Sequence, residues 1–406
     1  EGSLLLIINH TTFLLFLKKE NKMRKNLNKL ATLALSGMMV MSMAMPAFAL
    51  DVPFKKVLFT DGKTLAPATD FTFDITEGAG GTQYTYSGKD ANNQPVTATV
   101  TTLPGVEGAV TVKTPAEFTP DENNLGSDQV VVNNKVVGAQ FESTAIFKVD
   151  EEKFKDKAVG VYEYKFKEHD SEYEGIQYAT SEFKLYVFKS LDAQGKPQYN
   201  TAIERVKDGK GNTVHQKPEY ISNNYGRHTP PETPDTPGEN PKVPNNSTHN
   251  VIIKKKITGT ARNESDTFKF KVQVIPGNTT GVTSGKKEGY HVESVGGANL
   301  GFISLKANDS APTEFTVGKD QGIQIFGLTK NDKVVVTEGN NSYVMTVAAE
   351  EGKGSLIDNL HSDSATFTGD FTVKEDDAVV IVKNDKNQVT PTGIVMNVAP
   401  YAMMLA

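Results

Sequence analysis

Two sets of a lysine, a glutamate and an asparagine occur in the same order along the chain, each in a stretch that alternates like a β-strand. The first set is Lys56 in DVPFKKVL, Glu168 in GVYEYKFKE and Asn223 in YISNNY. The second is Lys255 in NVIIKKKI, Glu338 in KVVVTE and Asn384 in AVVIVKN. Residues two apart on a strand share a face. Lys56 therefore shares its face with Val52, Phe54 and Leu58, and Lys255 shares its face with Val251, Ile253 and Ile257. Tyr164 and Phe166 accompany Glu168, while Val334 and Val336 accompany Glu338. Ile221 and Tyr225 flank Asn223, and Val380 and Val382 precede Asn384. Polar groups sit where apolar ones belong.

Burial is costly for an ammonium and for a carboxylate. Desolvation lowers a lysine pKa and raises a glutamate pKa, so either group can become neutral inside a core. A neutral lysine amine is a nucleophile, and the carboxamide carbon of an adjacent asparagine is an electrophile it can attack. A protonated glutamate can polarise the carboxamide oxygen and then carry protons as ammonia departs. The product is a Lys–Asn isopeptide bond, with folding supplying the proximity. Such a bond forms once per domain, without turnover, so the reading is not that of an enzyme. Taken singly, each residue also has an ordinary role: a snorkelling lysine, a rim glutamate, a turn asparagine. The agreement of face and order in both halves of the chain favours the chemical reading.

The elements that must position these residues read as strands. The chain has 406 residues, enough for two or three domains. Val- and Thr-rich alternation, Gly- and Asn-bearing turns and little helical periodicity indicate an all-β fold. Strand patterns run from Asp51 to about Tyr225 and from about Asn250 to Lys386. Each region follows its lysine strand with an alternating stretch, FTFDIT or FKFKVQV, and closes on its asparagine strand, a weak internal repeat. Two immunoglobulin-like β-sandwiches in tandem are predicted, over 50–225 and 250–388. Between them, 226–249 carries prolines at 230, 231, 234, 237, 241 and 244. Proline at that density excludes helix and central strand and predicts an exposed, semi-rigid spacer, with a Pro-rich recognition peptide as the alternative.

The ends read as addresses. Met23, Arg24, Lys25 and Lys29 precede an apolar run that closes on Ala47-Phe48-Ala49, so 23–49 is predicted to be a secretory signal peptide cleaved after Ala49. A membrane-anchoring helix is the alternative, though the run is short for a span. Residues 1–22 read as an extension upstream of the start methionine, or as part of a long leader. At the other end, Val389-Thr390-Pro391-Thr392-Gly393 resembles the LPxTG signal cut by sortase transpeptidases, which puts the cut between Thr392 and Gly393. Residues 389–406 are expected to be a truncated sorting signal.

Net charge is −6 and no dense basic tract follows the leader, so nucleic acid is not an expected partner. The chain has no cysteine, so in an extracellular setting covalent reinforcement must come from other side chains. The seven histidines are scattered, without HExxH or GxSxG. Neither a hydrolase nor a metal or cofactor site is expected.

Over 51–401 the chain resembles the streptococcal-type major pilins of Gram-positive bacteria, built from pilin isopeptide-linkage domains. LAPATDFTFDI, GVYEYKFKE, VIIKKKITGT, VVVTE and PTGIVMNVAPY carry the resemblance. It implies a bond between Lys56 and Asn223 assisted by Glu168, and another between Lys255 and Asn384 assisted by Glu338. The neighbouring Lys55, Lys254 and Lys256 have the opposite parity. It also implies that sortase joins the terminal threonine of one subunit to a lysine of the next. The aligned acceptor position is Gln216, and Lys217 stands beside it, with Lys242 in NPKVP as a rival. Copies of the chain itself, sortase, peptidoglycan and a host surface ligand are the implied partners, and the cell wall or pilus is the implied location. The long Pro-rich linker departs from related pilins, which join their domains more directly. A wall-anchored monomeric adhesin or stalk protein is the alternative.

Overall fold

A computed structural model describes residues 50–388, apart from 90–94, 120, 122–123, 133–134, 174, 193, 227–234, 236–247, 276, 278–288, 298–302, 307–311, 340–342, 350–358, 363–365 and 374–376. The leader, the sorting signal with Thr392 and Gly393, Lys242 and most of the Pro-rich segment lie outside the described residues. The regular structure described is strand, but for one 3-10 turn at Glu151–Phe154. These residues form two compact units, 50–235 and 248–388.

In the first unit the lysine strand, Leu50–Thr60, lies inside a sheet. One neighbour is the antiparallel strand Lys135–Val149; the other is the asparagine strand Ile221–Tyr225, which runs parallel. The glutamate strand Gly160–Glu168 belongs to a second sheet, between Glu182–Leu191 and Phe73–Glu77. Alternation turns one side of each sheet inward, and the rings of Phe54, Phe73, Phe147, Phe166 and Phe183 meet between them. Their centroids are 5.0 to 6.3 Å apart, mostly tilted or edge to face.

The second unit repeats the plan with aliphatic residues in place of most of the rings. Its lysine strand, His249–Thr258, pairs antiparallel with Gly322–Leu328 and parallel with the asparagine strand Ala378–Asp385. The glutamate strand Lys333–Gly339 lies in the opposing sheet, between Phe268–Ile275 and Thr366–Thr372. Val251, Ile253, Val336, Val380 and Val382 fill the space between the sheets.

Register is shared as well as topology. Asn223 pairs with Leu58 and Asn384 pairs with Ile257, so each asparagine stands opposite the residue two beyond its lysine. Lysine and asparagine are thus diagonal neighbours on one face of adjacent strands, within reach for long side chains.

The outside of the first unit's second sheet is partly covered, with Val161, Tyr186 and Phe188 buried there. Val100 and Tyr84, from the hairpin of Gln83–Lys89 and Pro95–Thr101, pack on them. One expectation needs correction. The Pro-rich segment was expected to be exposed throughout, but Asp235 is completely buried in the first unit because its carboxylate pairs with Arg205. At the far side of that segment, the lysine strand already begins at His249, itself buried.

Candidate functional site

Strand parity alone puts Lys56, Glu168 and Asn223 between the sheets of the first unit, and the structure brings them into contact. Lys56 and Asn223 are fully buried and Glu168 is 4% exposed. The Lys56 ammonium donates a hydrogen bond to Asn223 Oδ1 at 2.8 Å and forms an ion pair with Glu168. The other Glu168 oxygen accepts the backbone N–H of Ala179 at 2.8 Å. The ring of Phe71 lies 4.6 Å from the amine and helps keep water away.

The second unit also brings Lys255, Glu338 and Asn384 together, all buried, but with a different hydrogen-bond pattern. Glu338 bridges the other two: Oε2 meets Lys255 Nζ at 2.5 Å, and Oε1 accepts from Asn384 Nδ2 at 2.6 Å. Phe268 and Phe270 flank the amine, with ring centroids at 3.9 and 5.4 Å.

Burial dominates the electrostatics. Desolvation pushes the Lys56 amine below its ordinary pKa, against the opposing charge of Glu168. Desolvation likewise pushes Glu168 above the usual carboxylate range, against the attraction of Lys56. The two directions together favour movement of the shared proton from nitrogen towards oxygen. Burial also lowers the Lys255 pKa to about 8, with Glu338 pulling the other way. A desolvated amine, a proton carrier and a carboxamide in one hydrogen-bonded group are the reactants for amide exchange.

The adjacent lysines lie elsewhere. Lys55 points outward and pairs with Glu142 at 2.6 Å, Lys254 is half-buried and Lys256 is exposed. Lys217 is exposed, just past the strand Thr213–Gln216 and before Pro218. Among the described residues no group of His, Asp or Glu side chains converges as metal ligands would, and no helix is long and apolar enough to cross a membrane.

Sequence reasoning missed three contributors: the ring of Phe71, the ring of Phe268 and the Ala179 N–H. The rings left a signal, since each opens the alternating stretch that follows its lysine strand. A backbone donor in an irregular loop leaves none.

A family model described as a domain of unknown function, DUF7601, matches residues 249–387, which is the second unit alone. No curated protein matches the chain. Among solved structures, the chain is similar to a major pilin from Streptococcus pyogenes at 19% identity and a TM-score of 0.46, covering 84% of this chain and 100% of that one. A second major pilin from Streptococcus pyogenes has 18% identity and a TM-score of 0.47, with 83% and 98% covered. A pilus-presented adhesin has 11% identity and a TM-score of 0.26, with 51% of this chain and 36% of that one covered.

The buried pair has a measurable signature. In an Asn384→Ala background, where only non-covalent terms operate, Lys255→Met leaves the Glu338 carboxylate without its ammonium. Urea unfolding of the second unit should then show a loss of about 3–5 kcal/mol. Adding Glu338→Leu removes the stranded charge and should recover most of that loss; no recovery would mean that the pair is not electrostatically coupled.

Proposed function

We propose that the chain is a structural subunit of a cell-surface pilus, with each sandwich locked by one intramolecular Lys–Asn isopeptide bond. The observation that carries this reading is the same buried trio, at the same register offset, in both units. The lysine amine bonds to the asparagine side-chain carbonyl carbon, and the bond from that carbon to the amide nitrogen breaks. The glutamate carries the proton lost by lysine to the departing nitrogen, which leaves as ammonia. No cofactor or metal takes part. The cross-links are Lys56–Asn223 and Lys255–Asn384, with Glu168 and Glu338 as the proton carriers.

The setting follows from the same chemistry. A secreted chain without cysteine gains from amide cross-links the restriction of the unfolded state that disulfides give elsewhere. Sortase would cut between Thr392 and Gly393 and join Thr392 to Lys217 of the next copy, with peptidoglycan as the final acceptor on the Gram-positive cell wall. Lys217 is suited to this by its exposure.

Intact mass measurement on the secreted chain tests the bonds. The wild type should be lighter than its sequence by two ammonia molecules, and Lys56→Ala or Glu338→Ala should restore one. A full mass in the wild type rejects the reading.

The pH dependence has a definite sign. The nucleophile is the neutral amine of Lys255, and burial lowers the pKa of that amine to about 8. Chains held unfolded in urea and diluted into buffers of rising pH should link the second unit at a rate that climbs by up to about tenfold per unit below 8 and levels above it. A rate that does not change as pH rises through 8 would mean that deprotonation of Lys255 does not limit the reaction.

Polymerisation has its own test. Wall extracts should give a high-molecular-weight ladder on immunoblots, collapsed by Lys217→Ala. A single wall-bound species in the wild type would instead assign the monomeric adhesin or stalk role.

A further inference from the structure

Asp235 belongs by sequence to the Pro-rich segment, yet its side chain is completely enclosed by the first unit. One carboxylate oxygen accepts from Arg205, from Nε at 2.9 Å and Nη2 at 2.8 Å. The other accepts from both the backbone N–H and the hydroxyl of Ser222, each at 3.1 Å. The Asp235 backbone carbonyl accepts the N–H of Thr180 at 2.9 Å. Arg205 is itself fixed, with Nη2 donating to the Tyr220 carbonyl at 3.3 Å and its guanidinium 5.5 Å from the Phe183 ring centroid.

The two segments gripped are the ones that aim the reacting groups. Ser222 precedes Asn223, which accepts from Lys56. Thr180 follows Ala179, whose N–H holds Glu168. We propose that Asp235 is a positioning residue for the first unit's isopeptide bond: through Ser222 and Thr180 it sets where Asn223 and Glu168 stand relative to the amine. This rests on the isopeptide reading above.

The role is one of position rather than charge. The negative charge of Asp235 favours the protonated form of Lys56, against the reaction, and Arg205 lies against it. Hydrogen-bond acceptors at this point are what the geometry uses. A further consequence is order of events: the first unit reaches its full rate only once the chain extends past the asparagine strand to Asp235.

The test compares the two units within one full-length chain, so that the second unit serves as the internal control. Freshly synthesised chains are diluted from urea, and ammonia loss in each unit is followed by digestion and mass measurement. Asp235→Ala should slow linking in the first unit by about tenfold or more and leave the second unchanged. Asp235→Asn keeps an acceptor without the charge and should link within about threefold of wild type. Linking at the wild-type rate in Asp235→Ala overturns the proposal. So does a slow rate that is restored when trimethylamine N-oxide returns the variant to the wild-type folded fraction, which would assign a purely stabilising role. A wild type that loses no ammonia in either unit instead rejects the isopeptide reading itself.

Discussion

A lysine and a glutamate sharing one proton inside an apolar core is the arrangement on which the rest of this molecule turns. Keeping both ions there would cost several kcal/mol each after relaxation, only partly offset by their attraction. Moving the proton to the carboxylate removes both charges, and the directions in which burial shifts Lys56 and Glu168 converge on that state. The rings over each amine and the sheets behind it make water scarce. The surrounding apolar packing is therefore also what lowers the pKa of the amine.

Topology then decides what a covalent tie would hold. In each unit the first strand lies beside the last, running parallel. The chain consequently enters a sandwich at one end and leaves it at the other. A pull on both ends loads the hydrogen bonds between those two strands in shear. A bond from Lys56 to Asn223 joins the loaded strands directly, so force would pass along covalent bonds while the remainder of the sandwich stays slack.

How much of this could be read beforehand depends on whether it is written in a period. Lys56, Glu168 and Asn223 sit on strands whose apolar residues recur every second position, and the burial of all three follows from counting. The same counting separates Lys255 from Lys254 and Lys256. Period fails where neighbours in space come from distant or irregular chain. Nothing in ETPDTPG marks Asp235 as buried, because its partners Arg205, Ser222 and Thr180 lie on three other segments. The hairpin over Tyr186 and Phe188 is a similar case, since alternation reports two faces of a strand without saying what covers the second. The parallel pairing of first and last strands is likewise a tertiary outcome that no local pattern specifies.

The two-residue offset between lysine and asparagine has one more effect. Side chains on a strand alternate, so a closing strand displaced by a single residue would turn Asn223 or Asn384 to the opposite face, away from the amine. Amide links do not exchange with one another as disulfides do, and an error sealed in this way would be permanent. The geometry guards against that error, because only a correctly threaded sandwich presents the carboxamide to the amine. The reaction would act as an inspection step, marking covalently those chains that have closed in register and leaving the others open to refold or be degraded.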